Sequence, residues 1–160
     1  MKFFIEAFGY KFQAEFDICF NDEKTDIARC VALEPPEKIA KGMPWALHYP
    51  YGGEYYLSPE IFISEGTLGS VVGDWVQSRG GFSGIHHLAY QVDDVEAKMK
   101  EWTDNGWANF SSAEPITCPG LVQVFSKPNC TGVVYEFIKR EGHGFCKESV
   151  KTLMLSSKGD

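Results

Sequence analysis

Two side chains of metal-binding type lie in otherwise apolar segments in the second half of the chain. Glu136 falls within the apolar run 132–138, where an unpaired buried carboxylate would be unfavourable. A metal ion would remove that penalty, and so would a position at a sheet edge in contact with water. His87 falls within a similar run, 85–92, and imidazole is another common ligand of divalent ions. The two residues are therefore either metal ligands or ordinary polar residues of a sheet.

The strand expected around His87 determines which neighbouring side chains lie on the same face as its imidazole. Side chains alternate between the two faces of a strand, so His87 shares a face with Ala89 and Gln91. His86 points to the opposite face and cannot readily bind the same ion, so we expect it to be a helix-side or surface residue. His48 lies among aromatic residues. It would either reach a cleft as acid, base or replacement ligand, or lie in a partly exposed loop.

Hydrophobic periodicity in the second half predicts the elements that position these residues. A helix is expected over 68–78, with Ser70 as its N-cap, followed by a strand over 85–92. Asp93 and Asp94 are suited to cap a second helix, and Gly106 is suited to the left-handed position that ends it. Two strands are expected over about 120–125 and 132–138.

The first half has a less regular pattern. Apolar residues alternate over 10–20, which predicts a strand. Asn21 or Asp22 would cap a helix that carries Ile27, Cys30 and Val31 and ends before two prolines. A further strand is expected over 54–64, preceded by a loop with a short strand.

A weak internal repeat relates the two halves. A strand, an acidic cap, a helix and a strand containing glutamate occur twice. The separation from Glu15 to Glu60 is 45 residues, and that from His87 to Glu136 is 49 residues. Two similar units in one chain suggest a pseudo-symmetric pair that shares one cleft.

Composition excludes several classes of function. The 160 residues carry a net charge of -7, with lysine and arginine scattered singly, which disfavours nucleic-acid binding. No segment has the length and apolarity of a membrane span or a secretory signal, so no membrane partner is expected. The five cysteines show no CxxC spacing, and we expect free thiols in a reducing cytoplasm.

The stretch 84–97, which reads GIHHLAYQVDDVEA, resembles the vicinal oxygen chelate superfamily of glyoxalases, bleomycin resistance proteins and dioxygenases. It looks most similar to methylmalonyl-CoA epimerases and the glyoxalases, and residues 75–84 resemble the linker helix of the epimerases. Residues 125–128 and 133–140 resemble the closing strands of the family and the end of 4-hydroxyphenylpyruvate dioxygenase. The resemblance covers about residues 58–140, and the first 57 match only through the repeat.

The resemblance implies an α+β fold in which paired βαβββ modules, with curved mixed sheets, enclose a cleft. The implied first module, an atypical one, covers 1–66 and a linker helix covers 67–83. The second module would then cover 84–140, with a C-terminal tail over 141–160.

The resemblance also implies a set of metal ligands on the first and last strand of each module. His87 and Glu136 match in the second module, and Glu60 matches on the last strand of the first. Glu15 stands where the family has a histidine. One histidine with two or three carboxylates suits Mg²⁺, Mn²⁺, Co²⁺, Ni²⁺ or Zn²⁺, and disfavours iron because the two-histidine, one-carboxylate triad is incomplete.

The implied function is a metal-dependent isomerase or lyase. It would act on an acyl-thioester or α-hydroxycarbonyl substrate through an enolate, with Glu136 or His48 as the catalytic proton-transfer group and Glu54 as a further candidate base. The alternatives are a non-haem iron dioxygenase and a non-catalytic small-molecule binding protein on the same fold. A small-molecule substrate is the expected partner, and a homodimer is compatible with the sequence.

Overall fold

The computed structural model describes residues 1–36, 38–39, 55–56, 58–128, 130–141 and 146–156. The chain divides into two compact units, residues 1–73 and 74–160. Both contain helices and strands, which confirms the predicted α+β class. Among the described residues, no helix has the length and apolarity needed to cross a bilayer.

The first unit is built mainly from antiparallel strands. Its sheet has the order β1-β2-β5, and β3 pairs with β4. Tyr10, Val31 and Leu33 form its buried cluster, against which Phe4 of the first helix packs. The elements are α1 (Lys2–Phe8), β1 (Lys11–Cys19), β2 (Ile27–Glu34), β3 (Lys38–Ile39), β4 (Tyr55–Tyr56) and β5 (Ile61–Gly66).

The predicted helix after Asn21 is wrong, because residues 27–34 form the central strand β2. Asn21 Oδ1 accepts hydrogen bonds from the backbone N–H groups of Thr25 and Asp26, at 3.0 and 3.1 Å, and this turn leads the chain back along β1. Four consecutive residues, 30–33, are buried. A strand covered on both faces loses its period of two, so its apolar spacing resembles that of a helix.

The second unit has the order β6, α3, β7, β8, β9, which is one βαβββ module. The helix α2 (Val71–Ser78) precedes it, and Ser70 caps α2 as predicted by accepting the Gly73 N–H at 3.0 Å. The module comprises β6 (His87–Gln91), α3 (Val95–Asp104), β7 (Ile116–Cys118), β8 (Leu121–Phe125) and β9 (Val134–Arg140). The sheet order is β6-β9-β8-β7.

Helix α3 covers one face of this sheet. Asp94 caps it by accepting the Ala97 N–H at 2.9 Å, and Gly106 beyond its end has a φ of 67°, both as predicted. Val95 packs against Val124 and Phe137, with Trp102 at the edge of the cluster. The odd-numbered residues of β9 and the even-numbered residues of β8 therefore face α3.

A C-terminal helix that the sequence did not reveal, α4 (Lys147–Ser156), packs on the other face of the same sheet. Its Leu153 forms a buried cluster with Phe125 and Val134. A disulfide joins Cys146, just before α4, to Cys118 on β7. The prediction that all five cysteines are thiols is therefore wrong for this pair, while Cys19, Cys30 and Cys130 are thiols outside any disulfide.

Candidate metal centre

The first and last strands of the second unit bring His87 and Glu136 together. β6 and β9 are parallel neighbours, with His87 opposite Val134 and Ala89 opposite Glu136. Residues opposite one another share a face, so His87 and Glu136 are diagonal neighbours on one face of the sheet. His87 Nε2 lies 3.4 Å from Glu136 Oε2. The two candidate ligands of this unit thus present adjacent nitrogen and oxygen donors.

Burial makes both groups neutral over a wide pH range. The Glu136 side chain is 7% exposed and that of His87 is 25% exposed. Loss of hydration raises the pKa of Glu136 to about 7, against an opposing effect of Arg140. Loss of hydration, with a smaller contribution from His86, lowers the pKa of His87 to about 4. Between these values the contact joins a carboxylic acid and a neutral imidazole, and it is not an ion pair.

His86 lies immediately before β6 and contacts the other ring nitrogen of its neighbour. Its Nδ1 is 3.1 Å from Nδ1 of His87, so the Nε2 of His87 that faces Glu136 is not involved. The His86 ring also packs edge-on against Trp75 of α2, with centroids 5.3 Å apart. His86 thus lies against helix α2, but the expectation that it points away from His87 is wrong, because the two rings contact each other.

Apolar side chains flank the pair on the same face. The Phe125 ring stands perpendicular to that of His87 at 5.9 Å, and Phe125 lies directly opposite Glu136 in the sheet. Leu153 of α4 covers Phe125. The sequence analysis singled out neither residue: alternation along the strand expected over 120–125 could have indicated the face of Phe125, whereas no motif pointed to Leu153. This apolar surround explains why the carboxyl group of Glu136 favours its neutral form.

The candidates from the first half lie in the first unit. Glu15 on β1 is 40% exposed, and its Oε1 accepts a 2.5 Å hydrogen bond from Arg29 Nε on β2. That bond and the Arg29 charge lower the pKa of Glu15. Glu60 is half-buried and immediately precedes β5. Their roles as ligands stay predictions, and His48 and Glu54 fall outside the described residues.

The donor set of the second unit fits a divalent ion. A bound cation would displace the proton of the buried carboxyl group and offset the cost of burying the carboxylate, and a neutral imidazole has a lone pair to offer. Among the described residues of this unit, no third histidine, cysteine, aspartate or glutamate joins the pair. A complete site would therefore need ligands from elsewhere in the chain, from substrate or from water.

A separate surface cavity of about 280 Å³ opens between the end of α3 and the turn after β8. It is lined by Trp107, Asn109, Lys127 and their neighbours, and none of the candidate site residues borders it. The cavity therefore has no part in the centre described above.

Solved structures of other proteins share the architecture of this chain, although no family model and no curated protein matches its sequence. A crystal structure of a selenomethionine methylmalonyl-CoA epimerase matches with a TM-score of 0.59 and 21% identity, over 88% of this chain and 85% of that one. A Streptomyces coelicolor methylmalonyl-CoA epimerase in complex with 2-nitronate-propionyl-CoA matches with a TM-score of 0.56 and 22% identity, over 88% and 86%.

The chain has the glyoxalase-like fold of these epimerases. A third match, a methylmalonyl-CoA epimerase in complex with methylmalonyl-CoA and NH4+, has a TM-score of 0.57 and 23% identity over 88% of this chain and 84% of that one. At these identities the likeness shows the fold alone, and this is the fold that the resemblance of residues 84–97 implied.

Proposed function

We propose that this chain is a divalent-metal isomerase or lyase of the glyoxalase and epimerase type, acting on a small acyl-thioester or α-hydroxycarbonyl substrate through an enolate. The observation that carries the proposal is the contact between His87 Nε2 and Glu136 Oε2, 3.4 Å apart on adjacent first and last strands. Two groups with these pKa values, side by side in an apolar surround, are typical of a functional site.

The chain's own residues define what such a site can do. A bound divalent ion would supply a Lewis acid that polarises a carbonyl oxygen and stabilises the charge of an enolate. Glu136 and His87 would hold the ion, with Glu60 and Glu15 as further proposed ligands. When Glu136 is a ligand, removal of the acidic proton of the substrate falls to another group, and His48 and Glu54 are the candidates.

The ligands of the similar structures support the substrate class. Two of those epimerases were solved with methylmalonyl-CoA or with 2-nitronate-propionyl-CoA, and both compounds are acyl thioesters. An acyl thioester has an acidic C–H beside a carbonyl, which is the chemistry an enolate mechanism needs. Phe125 and Leu153 would keep water from the apolar side of the pair.

Metal binding is the first test. Purified protein should bind Co²⁺ or Ni²⁺ at about one ion per chain by calorimetry, and the double variant His87→Ala, Glu136→Ala should lose that binding. Changing both residues avoids leaving one buried group without its neighbour. Glu101→Gln, on the exposed side of α3, is the matched control. Undiminished binding by the double variant would show that the ion is held elsewhere.

The reaction itself is tested by hydrogen exchange in D₂O. Metal-loaded protein should exchange the acidic C–H of an acyl-CoA or α-hydroxycarbonyl compound without consuming O₂, as followed by NMR with an oxygen electrode in parallel. Uptake of O₂ that depends on Fe²⁺ would replace the proposal with a dioxygenase. Absence of metal binding, exchange and O₂ uptake would leave a small-molecule binding protein on this fold.

A further inference from the structure

The residue before the proposed ligand is held by contacts on several sides. The backbone carbonyl of His86 accepts the Val134 N–H of β9 at 3.4 Å, which extends the parallel ladder by one residue. Its ring packs against Trp75, and the guanidinium carbon of Arg79 lies 4.3 Å from the centre of the Trp75 ring on the same helix end. The backbone of His86 is therefore held by β9, and its ring is held by α2.

The ring nitrogens of His87 have separate partners. Nδ1 lies 3.1 Å from Nδ1 of His86, and Nε2 lies 3.4 Å from Glu136 Oε2. A neutral imidazole carries one proton on one of its two nitrogens. For Nε2 to bind a metal ion beside Glu136, the proton has to be on Nδ1, where only an acceptor can stabilise it. Nδ1 of a neutral His86 is such an acceptor when His86 carries its own proton on Nε2.

We propose that His86 is a positioning residue, whose Nδ1 accepts a hydrogen bond from the Nδ1–H of His87 and so directs the Nε2 lone pair of His87 towards Glu136. This inference rests on the proposed function, because it assigns His86 the task of orienting a metal ligand. Partners of this kind fix both the tautomer and the ring orientation of a ligating histidine, and their loss typically weakens metal binding about 10- to 100-fold.

Two variants of His86 separate hydrogen bonding from packing. His86→Phe keeps an aromatic ring against Trp75 but has no acceptor, and it should weaken Co²⁺ binding about 10- to 100-fold. His86→Gln has a side-chain oxygen that can accept the same bond, and it should bind Co²⁺ within about threefold of the unchanged protein. A role in packing alone would give the opposite order, and that order, or equal affinities for His86→Phe and the unchanged protein, would overturn the inference.

A second measurement needs no metal. In protein labelled with ¹⁵N-histidine and freed of metal by chelation, the nitrogen shifts should show His87 protonated at Nδ1, and His86→Phe should increase the Nε2–H form. A His87 protonated at Nε2 in the unchanged protein would overturn the inference, even if His86→Phe fails to fold. This measurement also separates failure of the inference from failure of the proposed function. A chain that binds no metal ion can still show His87 protonated at Nδ1.

Discussion

At the scale of single residues, His87 and Glu136 have opposite effects on how the stability of the fold changes with pH. The folded state lowers the pKa of His87 from 6.5 to about 4, so the unfolded chain binds more protons in that interval and stability rises with pH. The folded state raises the pKa of Glu136 from 4.5 to about 7, so the folded chain binds more protons and stability falls with pH. In metal-free protein the two slopes largely cancel between pH 4.5 and 6.5.

Glu136→Gln should remove this cancellation. The difference in the free energy of unfolding between the variant and the unchanged protein should grow in the variant's favour by about 2 to 3 kcal/mol between pH 4.5 and 7, because the variant lacks the falling contribution of Glu136 while all other titrating groups are shared. Urea unfolding followed by tryptophan fluorescence, in the presence of a chelator, measures it. Glu101→Gln should keep the pH profile of the unchanged protein. The same profile for Glu136→Gln would mean that Glu136 is not buried as the structure has it.

The sequence was informative about these two residues for a physical reason. Strand alternation and the family-like stretch 84–97 placed His87 on a definite face, whereas the apolar neighbours of Glu136 left two alternatives, burial at a metal ion or a sheet edge in water. The hydrogen bond between His86 and His87 was beyond sequence reasoning. Adjacent strand residues normally point apart, and here the first of the two lies just outside β6.

At the scale of elements, the hydrophobic pattern of the sequence predicted the two helices α2 and α3, each with one covered face. It failed for strand β2 and helix α4. Helices α2 and α3 have one apolar side and a side-chain cap, and both were predicted with their caps. Strand β2 is buried on two faces and was mistaken for a helix. Over residues 147–155 of helix α4, the deeply buried residues are Ser149 and Leu153, which is too sparse a pattern to predict a helix.

The disulfide next to α4 leads to a prediction at this scale. Cys118 and Cys146 are 28 residues apart, and closing a loop of that length should stabilise the fold by about 3 to 4 kcal/mol in the chain-entropy description. The double variant Cys118→Ser, Cys146→Ser should lose that amount in urea unfolding, and reductant should have the same effect on the unchanged protein. Cys130→Ser, at an exposed free cysteine, is the control. Unaltered stability in reductant would contradict the prediction.

At the scale of the whole molecule, the internal repeat predicts that both units contribute to one metal site, with Glu60 as a ligand from the first unit. The fold confirms only that the second unit is a βαβββ module. Between β1 and β2 the first unit has a turn where the repeat predicted a helix. The repeat was therefore a better guide to the strands than to the connection between them.

Glu60→Gln tests the shared site directly. If Glu60 is a ligand, its loss should weaken Co²⁺ binding at least about tenfold, since even outer partners of a ligand contribute that much. Calorimetry measures the affinity. Glu65→Gln removes a carboxylate from the exposed side of the neighbouring strand β5 and should leave the affinity unchanged. Equal affinities for both variants would mean that Glu60 is not a ligand.

The parallel pairing of β6 with β9 also determines when the centre can exist during folding. The hairpin of β8 and β9 joins residues close in sequence, whereas His87 and Glu136 are 49 residues apart and meet only after α3, β7 and β8 have been passed. Closing that longer loop has a larger entropic penalty than closing the hairpin. The donor pair is thus a property of the completed unit, and a nascent or truncated chain that lacks either end strand cannot form it.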